Sequence, residues 1–281
     1  MTAKHKIAFI GPGMMAEAMI AGLIRQELAS PGELIAAGPN PQRGEHLEKI
    51  YGVKVLADNR EAANQADVVV LAIKPQRLEK VLLGINGSVK ENAMVLSIVA
   101  GAPIAKIGKG LGHASVVRAM PNTPAKIGEG ITVWTAAPSV SAEQQEMARK
   151  ILGALGDEIY MDEEAFLDKA TALSGTGPAY VYLFMEAMVD AGVHLGFPRR
   201  VAEHLVVQTL RGSVEYYDQG DGPRHLARRR NEVTSPGGTS AEALYYLEKA
   251  GFRTAVSRAI WAAYERSVEL GQDAESKPPS G

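Results

Sequence analysis

Two short stretches hold residue types and spacings from which chemistry can be built. The first is Gly11-Pro12-Gly13-Met14-Met15-Ala16. A dinucleotide site needs one glycine for a tight turn, a second that lets the backbone approach a pyrophosphate, and a small residue that lets a helix lie close on a strand. The helix N-terminus then offers unpaired N–H groups and a partial positive charge to the phosphates. The second stretch is Thr234-Ser235-Pro236-Gly237-Gly238-Thr239-Ser240. Glycines followed by hydroxyls at a helix start make an anion cradle, in which backbone N–H groups and side-chain hydroxyls converge on one oxyanion. The dinucleotide has its own phosphate turn, so this second cradle is assigned to a substrate, and a small carboxylate fits it. The competing readings are structural: an ordinary strand–helix turn for the first stretch, and a capped helix with a flexible lead-in loop for the second. No triad, carboxylate pair or metal-ligand set stands beside either. Hydride transfer needs none of these, because the cofactor carries the hard chemistry and the protein orients the reacting carbon and provides a proton donor.

The elements around the first turn have the required order. Lys6-Ile7-Ala8-Phe9-Ile10 reads as a buried parallel strand, and Met14, Met15, Ala18, Met19, Gly22 and Leu23 put apolar or small residues on the buried face of the helix that follows. Residues 33–37 form a second strand. Where an NAD-preferring fold has an acid for the ribose 2′-hydroxyl, this chain has Gly38-Pro39-Asn40 and then Arg43. A missing carboxylate and a nearby guanidinium favour NADP(H), with NAD(H) possible; the alternative is a solvated Arg43. A helix over 41–51, a strand at 53–55 and a helix capped by Asn59 through Gln65 come next. Residues 67–73 form the strongest strand, and its end at Lys74-Pro75-Gln76 belongs beside the cofactor, with Lys74 either a ligand contact or a solvated charge. Strands at 93–99, 115–120, 131–135 and 158–161, with helices from Ile104 and from Ala142 to Leu155 capped by Ser141, complete the α/β pattern of a doubly wound parallel sheet.

After Asp162 the pattern is helical only. Helices are expected from about 163 to Ser174, from Pro178 to Leu195, from Arg199 to Asp218, from Pro223 onward, from Ser240 to Ala250 and from Phe252 to Glu269. The division is therefore 1–162 for a dinucleotide-binding domain, 163–271 for a helical domain and 272–281 for a polar disordered tail. The 179–195 helix is apolar around much of its circumference, which predicts that it packs against a second chain; the alternative is a central helix buried within one chain.

Bulk properties narrow the function. The 281 residues carry a formal net charge of −2 and are 46% hydrophobic, giving ample core and no field that favours nucleic acid or anionic lipid. There is no cysteine, which excludes disulfides, thiolate metal sites and a cysteine nucleophile, and fits a reducing cytosol. The six histidines show no ligand spacing, so no metal is expected. The start of the chain reads as part of the fold rather than a signal peptide, and no stretch approaches a membrane span.

Five segments carry a resemblance: Phe9 to Ala16, Ala72 to Gln76, Arg118-Ala119-Met120-Pro121-Asn122-Thr123-Pro124-Ala125, Ala172-Leu173-Ser174-Gly175-Thr176-Gly177-Pro178-Ala179-Tyr180, and Val233 to Ser240. In this order they resemble the pyrroline-5-carboxylate reductase family. The resemblance implies a Rossmann-type N-terminal domain and an all-α C-terminal dimerisation domain, a homodimer that can assemble into decamers, and a cytoplasmic enzyme of proline biosynthesis. The implied reaction delivers hydride from NAD(P)H to the C=N carbon of 1-pyrroline-5-carboxylate, giving L-proline. It places the cofactor along Gly11, Pro12, Gly13, Met14 and Met15, at Asn40, at Ala72, Lys74 and Pro75, and along Met120, Pro121, Asn122 and Thr123; Arg43 joins this set from the reading of residues 38–43 above. It places the substrate at Ser235, Gly237, Gly238, Thr239, Ser240 and Pro178, with the Ser240 hydroxyl as the catalytic group near the ring nitrogen.

Two departures stand out. The family usually has threonine where this chain has Ser240, which keeps the hydroxyl and loses the methyl that restricts its rotamers. It often has asparagine where this chain has Met14, which removes one polar contact. A related imine or β-hydroxyacid reductase is the nearest alternative enzyme, but residues 179–195 contain no lysine of the kind β-hydroxyacid dehydrogenases place on their long helix. A non-catalytic NADP-binding sensor is the alternative from another class, and the intact second cradle argues against it.

Overall fold

The computed structural model describes residues 5–219 and 225–276. The chain divides into two compact units, Met1–Pro178 with Ala262–Gly281, and Ala179–Trp261. The division falls beyond the change of period at Asp162, and the end of the last helix returns to the first unit.

In the first unit, β1 (Ile7–Ile10), α1 (Met14–Arg25), β2 (Leu34–Ala37), α2 (Pro41–Tyr51), β3 (Lys54–Leu56), α3 (Asn59–Gln65) and β4 (Val68–Leu71) alternate as expected. They are followed by α4 (Leu78–Ile85), β5 (Met94–Ser97), α5 (Ile104–Leu111), β6 (Val116–Met120), β7 (Gly130–Ala136), α6 (Ala142–Gly153) and β8 (Gly156–Tyr160). The eight strands form one sheet in the order β3-β2-β1-β4-β5-β6-β7-β8. Strands β1, β2, β4 and β5 are buried at every position, the burial expected when helices cover both faces. The strand order reverses between β1 and β4, and the first glycine turn follows β1 at that point.

Two local expectations are corrected, and one helix appears that was not expected. The sheet is parallel except that β7 runs antiparallel to β6. Residues 121–129 join them, and that connection, held in a 3₁₀ turn at Thr123–Ile127, is too short for a parallel crossover. Asp58, not Asn59, caps α3: its side chain accepts from the Arg60 N–H at 2.8 Å. The helix α4 was not expected from the sequence. The Ser141 cap is as expected, and Gln144 answers it to complete a capping box.

After β8 in the chain, α7 (Phe166–Ala170) runs into a π-helical turn at Thr171–Gly175, then α8 (Gly177–His194). The second unit continues with α9 (Arg199–Gln219), α10 (Leu226–Glu232), α11 (Thr239–Lys249) and the start of α12 (Phe252–Ser276), which passes into the first unit at Ala262. The disordered tail expected at 272–281 is corrected in part, since α12 continues through Ser276 and the rest lies outside the described residues. The helix start expected at Pro223 also lies outside them.

One charged network ties α7 and the end of α12 to the sheet. Arg118 on β6 is 4% exposed; its Nη1 meets Glu164 at 2.9 Å and its Nη2 meets Asp168 at 3.0 Å. Glu164 also accepts from the Ile104 N–H at 2.8 Å, and the Ser267 hydroxyl donates to Asp168 at 2.9 Å. A guanidinium this buried is tolerated because both acids and their further donors complete it. Arg118→Met leaves two acids without their cation. It is expected to cost about 2–3 kcal/mol, below the range for fully buried pairs because both acids keep some water. A urea melt checks this; an unchanged midpoint would mean the network adds nothing to stability.

Candidate functional site

The ends of β1, β2 and β4 converge on the first glycine turn. Gly11 N–H donates to the Ala37 carbonyl at 2.9 Å, and Ala72 N–H donates to the Ile10 carbonyl at 2.9 Å. Gly11 has φ +86°, and a side chain there would run into Ile73 and into the Ala72 carbonyl oxygen, 3.0 Å from an ideal Cβ. Gly13 differs: a Cβ would meet nothing nearer than 3.9 Å. Gly13 caps α1 in an extended conformation with no side-chain cap, so the first N–H groups of the helix stay open toward the turn. An open helix start beside a side-chain-free residue, at the reversal of strand order, fits a dinucleotide pyrophosphate.

The other residues expected near a cofactor sit along the same edge of the sheet. Pro12 is buried, Met14 is 66% exposed, and Met15 packs against the core cluster under α1. Asn40 caps α2, its Oδ1 accepting from Arg43 N–H at 3.3 Å. Lys74 is exposed and precedes a 3₁₀ turn begun by Pro75. Met120 closes β6, and its methyl would lie 2.7 Å from a Cβ at Gly175. The Asn122 side chain is committed within the protein: Nδ2 donates to the Ser174 carbonyl at 3.2 Å, and Oδ1 accepts from Ile131 N–H at 3.0 Å. It pins the Pro121 to Thr123 turn and leaves its side-chain amide little capacity for a ligand.

Arg43 is held by the glycine turn rather than solvated. Its Nε donates to the Pro12 carbonyl at 2.8 Å, its Nη2 to the Gly13 carbonyl at 3.2 Å, and Nη2 also pairs with Glu17. Glu17, on α1, accepts in addition from Tyr51 Oη at 3.2 Å and lies 3.0 Å from His46 Nε2. Burial pushes the Glu17 carboxyl up, but the bonds from Arg43, His46 and Tyr51 and the Arg43 charge outweigh it and hold it below the usual carboxylate value. Burial and the Glu17 charge push Tyr51 up, so it stays a hydroxyl donor. The sequence reading singled out Arg43 and did not see that Glu17, His46 and Tyr51 cluster with it. The available signal was spacing: Arg43 and His46 lie one turn apart on α2, with a lone acid one turn into α1.

The second glycine turn leads directly into α11. Gly237 has φ +70°, Gly238 N–H bonds back to the Ser235 carbonyl at 3.1 Å, and Gly238 caps α11 without any side-chain cap. The Thr234 hydroxyl is turned away, donating to the Arg230 carbonyl at 2.7 Å. Ser235 and Thr239 are exposed and Ser240 is half-buried in the first turn of α11. Pro178 is the second residue of α8. Among the described residues there is no cluster of side chains suited to a metal ion and no helix long and apolar enough to cross a membrane.

Comparison with known proteins decides the family. Residues 164–270 match the family model for pyrroline-5-carboxylate reductase dimerisation, and residues 6–101 match the model for NADP oxidoreductase, coenzyme F420-dependent. A pyrroline-5-carboxylate reductase of Synechocystis sp. is 42% identical over 267 residues, covering 95% of this chain and 98% of its own length. The chain belongs to the pyrroline-5-carboxylate reductase family. The reductase of that name from Pseudomonas aeruginosa is 39% identical, over 95% of this chain and 97% of its own. The crystal structure of Plasmodium falciparum pyrroline carboxylate reductase with NADP bound superposes with a TM-score of 0.86 at 34% identity, over 95% of this chain and 98% of the other.

The two glycines of the first turn should separate under mutation. Gly13→Ala is expected to leave the melting temperature unchanged, because its Cβ has room, and to weaken dinucleotide binding roughly tenfold by blocking the backbone approach. Gly11→Ala is expected to destabilise the fold by about 1–3 kcal/mol or more through its positive φ and the Ile73 clash. Calorimetric melting and dinucleotide titration of both variants check this; tight binding by Gly13→Ala would remove the pyrophosphate from this turn.

Proposed function

We propose that this chain reduces the C=N bond of 1-pyrroline-5-carboxylate with NADPH, or less readily NADH, and releases L-proline, the closing step of proline biosynthesis. The observation that carries the reading is the pair of uncapped glycine turns, one at the strand-order reversal and one at the start of α11. Family membership adds support, with relatives of that name matched over nearly their whole length.

In this reading Gly11, Pro12, Gly13, Met14 and Met15 hold the pyrophosphate on backbone N–H groups. Asn40 and Arg43 face the adenosine ribose, with the Arg43 guanidinium on the 2′-phosphate. Ala72, Lys74 and Pro75, and Met120, Pro121, Asn122 and Thr123, border the cofactor at the strand ends. Bound NADPH supplies the hydride. Gly237, Gly238 and the Ser235 and Thr239 hydroxyls take the substrate carboxylate, and Pro178 borders its ring. Ser240 holds a proton at the ring nitrogen, so that the carbon is attacked as an iminium; hydride on carbon and proton on nitrogen together give the secondary amine of proline.

The second unit supports association with a second copy. Its buried core is small, formed by Val189, Ala202 and Val206, while Tyr182 and Leu183 on α8 and Val214 and Tyr216 on α9 are all at least 59% exposed. Large apolar side chains left on that scale mark an interface, and here the partner is a homodimer mate, with a decamer as the further assembly. The lack of cysteine fits the cytoplasm.

Rapid NADPH oxidation with 1-pyrroline-5-carboxylate, yielding proline, is the expected assay result; tight NADPH binding without oxidation would move the substrate to another imine. Ser240→Ala should lower kcat roughly tenfold to a hundredfold while leaving the NADPH dissociation constant within about twofold. An unchanged kcat would hand the proton-donor role to Ser235 or Thr239. Arg43→Ala should raise KM for NADPH roughly tenfold and leave KM for NADH nearly untouched; equal changes would sink the 2′-phosphate assignment.

A further inference from the structure

We infer that Glu17 is a specificity-determining residue: by neutralising Arg43 it limits how strongly this protein prefers a dinucleotide with a 2′-phosphate over one with a 2′-hydroxyl. The inference rests on the reading above that Arg43 faces the 2′-phosphate.

The geometry separates two kinds of restraint on Arg43. The carbonyls of Pro12 and Gly13, at 2.8 and 3.2 Å, are neutral and fix the guanidinium against the glycine turn. Glu17 is a full negative charge on the same Nη2. Asn40, by capping the Arg43 N–H, sets Arg43 at the third position of α2, facing the turn. No hydrogen bond among the described residues uses the Arg43 Nη1, which leaves that edge for a ligand oxygen. Glu17 in turn is held by partners on α2, His46 at 3.0 Å and Tyr51 at 3.2 Å, so the carboxylate does not swing away from the cation when a ligand arrives. The side chains of Arg43 and Glu17 are 25% and 22% exposed, so the pair is only partly screened by water.

A 2′-phosphate carries nearly two negative charges. It meets Arg43 with an anion already paired to Nη2, and the repulsion subtracts from the attraction. A 2′-hydroxyl has no charge and loses nothing. The carboxylate therefore compresses the difference between the two cofactors without touching the rest of the site. Removing its charge leaves both carbonyl anchors in place, so Arg43 keeps its position and gains field.

The test is binding, measured by calorimetric titration of the full chain with NADP+ and with NAD+, for wild type, Glu17→Gln, Arg43→Ala and the double variant. Glutamine preserves the shape of the side chain and an acceptor oxygen for Arg43. Glu17→Gln should bind NADP+ about fivefold more tightly and NAD+ within about twofold of wild type, and the gain should vanish in the Arg43→Ala background. Weaker NADP+ binding by Glu17→Gln would overturn the inference and make Glu17 a clamp that holds Arg43. Equal tightening of both dinucleotides would overturn it too, placing the effect on the pyrophosphate. If Arg43→Ala selectively weakens NADP+ while Glu17→Gln changes nothing, the inference falls and the 2′-phosphate reading stands. If Arg43→Ala weakens both equally, both fall.

Discussion

The fold of the first unit depends on one position that cannot carry a side chain. Gly11 lies where the ends of β1, β2 and β4 come together, with Ala37 accepting its N–H and Ile73 and the Ala72 carbonyl occupying the space a Cβ would need. That close approach brings the β1 end against its two neighbours and opens α1 toward the crevice where the strand order reverses. The helix can present its N–H groups there because Gly13 leaves them uncapped. One steric requirement thus shapes the sheet and the open helix start together, while Gly13, two residues on, has room for a side chain and answers to no such packing demand.

Charge is organised around this frame in two clusters with different work to do. Arg118, Glu164, Asp168 and Ser267 form a nearly buried network whose members come from β6, the approach to α7, α7 and α12. Its effect is to seat distant segments of the chain on the sheet. Glu17, Arg43, His46 and Tyr51 form a half-exposed cluster on α1 and α2. Exposure is the difference: buried charges must be matched within the protein, whereas a half-exposed cation beside an open turn keeps capacity for a ligand. The second unit is governed by shortage of core. Val189, Ala202 and Val206 are its buried cluster, and much of the apolar surface of α8 and α9 is left on the outside, which is why a dimerisation family model matching this region accords with the physics.

What the sequence by itself determined was whatever depends on local pattern. A continuous β-branched run marked β4, shorter and mostly apolar runs marked β5 and β6, the glycine spacing marked the first turn, and the apolar circumference of α8 pointed to a helix either packed on a second chain or buried within its own. The second turn was legible for the same reason, since two glycines and flanking hydroxyls ahead of a helical pattern need no distant residue to be recognised.

Tertiary structure decided everything that depends on what lies across a gap. The antiparallel placing of β7 follows from the short link after β6, whose Asn122 is claimed by Ser174 and Ile131 from elsewhere in the chain. The residues of β7 do not themselves state its direction; the length of the 121–129 link, too short for a parallel crossover, was the available signal, and the strand–helix alternation before it pointed the other way. Arg43 read alone was either a phosphate ligand or a solvated charge; only the approach of α1 to α2 shows it resting on the Pro12 and Gly13 carbonyls with Glu17 at its side. A cation's partners are set by distance in space, and the residues from 17 to 43 hold no pattern that fixes that distance before the sheet forms.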